Sequence, residues 1–157
     1  KVSDSEPSYP LQLVALSEGF GLAYNDTRQD QKGLYYATSA DGATWQEAPV
    51  DQDGNTGTSA SMRLDPWGRP VIAYGRCGEA NDQGCDPQRD GVQLARWDGR
   101  RWHRTAVDGG ASDEAREGGV VSLSLDGDGR PSVAFLRERF DPGTSTAIAE
   151  LRVVHAR

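Results

Sequence analysis

The chain has 157 residues, with 17 Lys plus Arg against 24 Asp plus Glu, for a net charge of −7. One domain is the expectation at that length, and the negative balance argues against a general nucleic-acid binder. No stretch approaches the ~18 apolar residues of a membrane-spanning helix, and no apolar leader opens the chain, so any signal peptide is removed or lies outside these residues. Nineteen glycines, eight prolines and 26% charged residues predict a turn-rich folded domain rather than a disordered segment.

Taken in chain order, the elements fall into repeats. Residues 11–24 read LQLVALSEGFGLAY, and residues 60–74, ASMRLDPWGRPVIAY, end in the same Ala-aromatic pair. Residues 121–135, VSLSLDGDGRPSVAF, match 60–74 at seven of fifteen positions, 61 residues on. A second unit recurs separately. Asp41-Gly42-Ala43-Thr44-Trp45 returns 57 residues later as Asp98-Gly99-Arg100-Arg101-Trp102. Two independent units at a common period define a repeat architecture, with copies at about 8–50, 58–108 and 119–157.

The middle copy gives the strand pattern. Ser61–Asp65 alternates, Asp65-Pro66-Trp67-Gly68 is turn chemistry, and Arg69–Tyr74 forms a second strand. After a long polar loop over 75–91, Val92–Trp97 alternates again. Asp98-Gly99 signals a hairpin, and Trp102–Val107 follows. Asp113–Glu117 is helix-friendly but short, ended by Gly118-Gly119. Short strands at this spacing predict an all-β protein, and four antiparallel strands per unit predict β-propeller blades. The third copy reaches only its third strand, at Leu151–Arg157, with no following Asp-Gly-x-x-Trp hairpin. The chain therefore holds an incomplete ring of just under three blades.

Ser39-Ala40-Asp41-Gly42-Ala43-Thr44-Trp45 resembles the Asp-box, the hairpin motif of sialidase-like secreted bacterial β-propellers. Asp41 would accept hydrogen bonds from turn N–H groups, Gly42 would supply a left-handed backbone, and Trp45 would seal the blade edge. The copy is one residue shorter than the fuller family pattern between Ser39 and Trp45. The second copy keeps Asp98, Gly99 and Trp102, with Trp97 and Arg101 where Ser and Thr belong. Leu64–Tyr74 and Leu125–Phe135 also resemble blade strands of such repeats. The resemblance covers nearly the whole chain. It implies the fold and is almost silent on activity, since Asp-boxes lie away from the catalytic face.

Cys77 and Cys85 are the only cysteines, both within the polar loop. An even count in one loop reads as a disulfide and places the chain outside the cytosol, as a secreted, periplasmic or cell-surface protein. Two free thiols are the alternative. No metal or cofactor is expected, with calcium at residues 51–55 as the alternative. Asp51-x-Asp53-x-Asn55 has the one-three-five spacing of a calcium loop but lacks the Gly at six and the Glu at twelve.

Function is expected on the face carrying the long loops 25–33, 75–91 and 136–149 and the interblade loops 46–58 and 108–119, because loops on a rigid scaffold carry function. That face offers Asp26, Arg28, Arg76, Arg137, Glu138 and Arg139 as binding residues. An arginine cluster would suit a substrate carboxylate, as in sialidases. The Arg-Ile/Leu-Pro signature of those enzymes is absent, however, and no convergent Tyr–Glu–Asp set stands outside the repeat, so no catalytic residue is assigned. The expected function is a non-catalytic binding or scaffold module for protein or glycan, with part of a sialidase-like glycoside hydrolase as the alternative. The missing blades are expected from the same precursor after processing, from a partner chain, or from a second copy.

Overall fold

The computed structural model describes residues 7–28, 32–77, 91–109, 115–141, 143–144 and 146–155. Among these the chain is all β, eleven antiparallel strands in three sheets and no helix. The first sheet runs β1 (Pro7–Ala15), β2 (Phe20–Asp26), β3 (Gly33–Ser39) and β4 (Gln46–Asp51) in consecutive order. The second runs β5 (Asn55–Leu64), β6 (Pro70–Cys77), β7 (Gly91–Trp97) and β8 (Trp102–Gly109). The third holds β9 (Ala115–Leu125), β10 (Pro131–Asp141) and β11 (Thr146–His155), with β11 at the edge among the described residues. These are successive meander sheets of a β-propeller, two of four strands and one of three.

Several of the sequence boundaries move, and the interblade stretch 46–58, expected as a loop, holds β4 and the start of β5. The stretch 136–149, expected as a long loop, is mostly strand: β10 and β11 pair without a break from Ser132↔His155 to Asp141↔Thr146. Leu136–Phe140 and Thr146–Ala149 extend the hairpin, because a paired backbone satisfies its own polar groups where a loop would need water. Residues 115–117 of the helix-friendly stretch likewise enter β9, pairing through Arg137↔Glu117 and Arg139↔Ala115, while Asp113 and Glu114 lie outside the described residues.

The repeat units fold as repeats. Leu64↔Pro70 and Leu125↔Pro131 close the two inner hairpins at the same register. Asp65 Oδ1 accepts from the N–H of Trp67 at 3.0 Å and of Arg69 at 2.8 Å. Asp126 Oδ1 accepts from Asp128 and Arg130 at the same two distances. The aspartate closes each turn, which explains why it recurs while the two residues directly after it differ.

The sheets pack face to face. Ala23, Leu34 and Val50 of the first meet Ala60, Met62, Ile72, Tyr74 and Ala95 of the second. Val71, Ala73, Val92 and Leu94 on the other side of the second meet Val121, Leu123, Val133 and Phe135 of the third. Each sheet thus turns the face of its central alanine (Ala23, Ala73) toward the next sheet's Ile72–Tyr74 or Val133–Phe135 face. The contact is head to tail and is made twice. Hydrogen bonds cross it as well: Asn25 Nδ2 donates to the Thr56 carbonyl at 2.6 Å, and the Leu123 N–H donates to Ser61 Oγ at 3.1 Å.

Candidate functional site: a cleft between the first two sheets

The two Asp-Gly-x-x-Trp turns share one geometry. Asp41 Oδ1 accepts from the N–H groups of Ala43 and Thr44 at 2.9 and 2.8 Å, and from Ser39 Oγ at 3.1 Å. Asp98 Oδ1 accepts from Arg100 and Arg101 at 2.7 and 2.9 Å. Trp45 Nε1 donates back to the Gly42 carbonyl. The turn N–H groups of Thr44 and Ala43 hold the Asp41 carboxyl below its ordinary value, and those of Arg101 and Arg100, joined by His103, do the same for Asp98. Each aspartate bonds within its own turn.

The outer strands of the first two sheets splay apart and leave a cleft of about 910 Å³, well within the size range of small-molecule sites. One wall is Tyr36 and Thr38 of β3 with Gln46–Asp51 of β4; the other is Trp97 of β7 with Trp102 and Arg104 of β8. Strand alternation explains why these side chains meet. Trp97 and Trp102 pair directly across the Asp98-Gly99 hairpin, and Arg104 lies two residues on, so all three share one face. The indoles sit 5.4 Å apart, and Trp102 meets Tyr36 edge-on at 5.5 Å.

The polar end of the cleft is organised by Asp51, buried at the end of β4. Its carboxylate accepts from the Tyr74 hydroxyl at 2.7 Å and from the Asp53 N–H at 3.0 Å, and it pairs with the Arg104 guanidinium. Burial, reinforced by the Asp51 carboxylate, pushes the Tyr74 phenol well above its usual range, so it stays a donor. Glu47, on the same strand, accepts from Tyr24. The cleft therefore combines aromatic walls with a half-exposed guanidinium whose position is fixed by a buried carboxylate.

The described binding residues expected from sequence, Asp26, Arg28, Arg76 and Arg137, lie elsewhere and do not line this cleft. Asp26 is buried at the end of β2 and bound by Arg28 Nη2 at 2.7 Å. Burial alone would raise the Asp26 carboxyl, but the hydrogen bonds and charge of Arg28 hold it below its ordinary value. Arg76 pairs with Asp53 at 2.6 Å. Arg137 stands opposite Glu150 on β10, followed by Glu138 opposite Ala149 and Arg139 opposite Ile148; the side chains of Glu138 and Arg139 fall outside the described residues. The one-three-five carboxylates are engaged by protein cations, Asp51 by Arg104 and Asp53 by Arg76. Cys77 ends β6 and is not a free thiol; Cys85 lies outside the described residues.

Sequence reasoning missed Tyr36, Asp51, Trp97 and Arg104 as site residues and treated Trp102 only as a turn residue. The available signal was the hairpin itself, which obliges Trp97 and Trp102 to share a face. No family profile and no curated protein matches the chain. Among solved structures, the chain is similar to a fucose lectin from Kordia zhangzhouensis, solved in complex with methyl-fucoside. Identity is 13%, 94% of this chain and 97% of that one are covered, and the TM-score is 0.53. At that identity the likeness establishes the fold, a β-propeller-like arrangement of antiparallel sheets.

Proposed function

We propose that the protein is a non-catalytic glycan-binding module that seats a sugar in the cleft between its first two sheets. The observation that carries this reading is the conjunction of the Tyr36–Trp97–Trp102 walls with the Asp51-anchored Arg104. A pyranose presents an apolar C–H face, which packs on indole, and a rim of hydroxyls, which hydrogen-bond to a fixed guanidinium and carboxylates. The fold neighbour's bound methyl-fucoside supports a sugar as the ligand class. The two D-G-x-x-W turns are read as Asp-boxes, and Cys77 is read as bonded to Cys85, the only other cysteine, in an extracytoplasmic protein.

Isothermal titration with methyl fucoside, methyl galactoside and methyl glucoside, alongside a glycan array, tests the reading. At least one sugar is expected to bind and to quench tryptophan fluorescence. Trp102→Ala and Arg104→Ala should each weaken that binding at least about tenfold, the loss of ~1.4 kcal/mol. No signal from the wild-type protein on any glycan, or full binding by both variants, refutes the site. Intact-mass alkylation of protein made under oxidising conditions tests the disulfide, which two modified thiols would exclude.

A further inference from the structure

The first sheet and the third each present one open face, and the two faces are the halves of a contact this chain already makes twice. Leu13 pairs with Leu22 in the first sheet as Met62 pairs with Ile72 and Leu123 with Val133. The three positions are equivalent, yet Leu13 is 62% exposed where Met62 and Leu123 are each 1%. Leu11, two residues earlier, is exposed where Ala60 and Val121 are buried. Elsewhere on this face Tyr24, Tyr35 and Ala37 are buried with Leu22 and Trp45 packed against them, so its exposed apolar residues are Leu11 and Leu13 of β1 and Phe20 of β2.

The third sheet shows the complementary pattern. Leu151 pairs with Leu136 as Val92 pairs with Gly75 and Leu34 with Asn25. Leu151 is 72% exposed where Val92 and Leu34 are 0%. Val153 pairs with Ala134 as Leu94 pairs with Ala73, and it too is exposed where Leu94 is buried. Together with Val120 these residues form an exposed apolar patch on the third sheet's alanine face.

We infer that the occupant of each face is the other face of a second copy of this chain. The alanine face of one copy's third sheet seats on the Leu11–Leu13 face of its partner's first sheet, and the reverse contact closes the ring. Every contact in the ring is then of the head-to-tail kind already present between the first and second and the second and third sheets. Heterologous contacts of this sort close only when the rotation per subunit completes a circle. Two copies of three sheets supply six, within the four to eight with which propellers close. Burying these leucines and valines supplies the driving force. The inference is independent of what the cleft binds.

Sedimentation equilibrium of the 157-residue chain, from low-micromolar to sub-millimolar concentration, is the test. The expected mass is twice the 17.0 kDa of one chain. Leu13→Asp and Leu151→Asp should each halve that mass while keeping the far-ultraviolet circular dichroism of the parent. Both positions are solvent-exposed in the single chain, so folding should be spared; Leu11→Asp and Val153→Asp serve in place of a variant that fails to fold. An equimolar mixture of the two variants should recover a two-chain species, because one of its two contacts joins undamaged faces. A wild-type chain that stays at single mass across the range overturns the inference. So does dissociation by only one of the two variants, which would mean that a face pairs with itself.

Discussion

The Tyr74 hydroxyl donates to Asp51 at 2.7 Å across the contact between the first two sheets. The two residues are 23 positions apart and belong to different sheets. Asp51 also holds Arg104, so a single buried carboxylate joins core packing to the polar end of the cleft. Removing either partner has unequal consequences.

Tyr74→Phe deletes one hydrogen bond but leaves Asp51 paired with Arg104, and should cost about 1 kcal/mol. Asp51→Ala strands the buried Tyr74 hydroxyl and releases Arg104, at about 2–3 kcal/mol. Urea midpoints at unchanged slope measure both. The order is the informative part: Asp51→Ala milder than Tyr74→Phe would mean the carboxylate is not the organising group.

Acid stability follows from the turn carboxylates. Asp41, Asp98 and Asp26 all titrate below their ordinary value of 3.8 in the folded chain. A carboxyl depressed on folding adds stability above its unfolded pKa and loses it as pH falls toward the folded one. Stability should therefore hold from neutrality down to about pH 4 and decline below 3.8 as these groups take up protons. Melting temperatures measured across that range check the shape. Asp98→Asn should lower the melting temperature at pH 7 and flatten the acid limb. A variant whose acid limb matches that of the wild type would remove Asp98 from the account.

Two glycines separate backbone strain from steric collision. Gly99 has φ +101° with nothing within 4 Å of where a Cβ would stand. Gly99→Ala should cost only the left-handed penalty, about 1–2 kcal/mol. Gly19 has φ +93°, and an added Cβ would collide with the Ser39 carbonyl oxygen and the Ala40 Cα. Backbone cannot rotate away as a side chain can, so Gly19→Ala should be the more damaging by several degrees of melting temperature. Equal losses would show that the β1–β2 turn yields.

The turns were legible in the sequence because their chemistry is local. Asp65 and Asp126 close their turns through N–H groups two and four residues on, and Asp41 and Asp98 through those two and three residues on. A carboxylate bonded so near in sequence leaves its mark at fixed spacing. The cleft had no such mark, since Asp51 meets Arg104 across 53 residues and two sheets. The same distance effect misled the search for a binding face. Arg28 and Arg76 looked available among polar loops, but carboxylates outside the repeat motifs, Asp26 and Asp53, engage them. The extent of β10 and β11 was obscured by residues 137–141, whose charges read as loop although their backbones pair.

Met62 and Leu13 occupy one position in successive sheets, and their truncations should therefore behave differently. Met62 is enclosed by the first two sheets, so Met62→Ala leaves a cavity and should cost about 2–5 kcal/mol at any protein concentration. Leu13 is open in the single chain, and Leu13→Ala should cost the isolated chain within about 0.5 kcal/mol. In the two-copy ring the same residue is enclosed, and binding of the partner adds stability by mass action. The deficit of Leu13→Ala should accordingly widen as protein concentration rises and the wild type becomes fully paired. Thermal melts of both variants over a hundredfold range of concentration measure this. A constant gap between wild type and Leu13→Ala across that range would mean Leu13 remains in water, and the first sheet's open face would have no partner of its own kind.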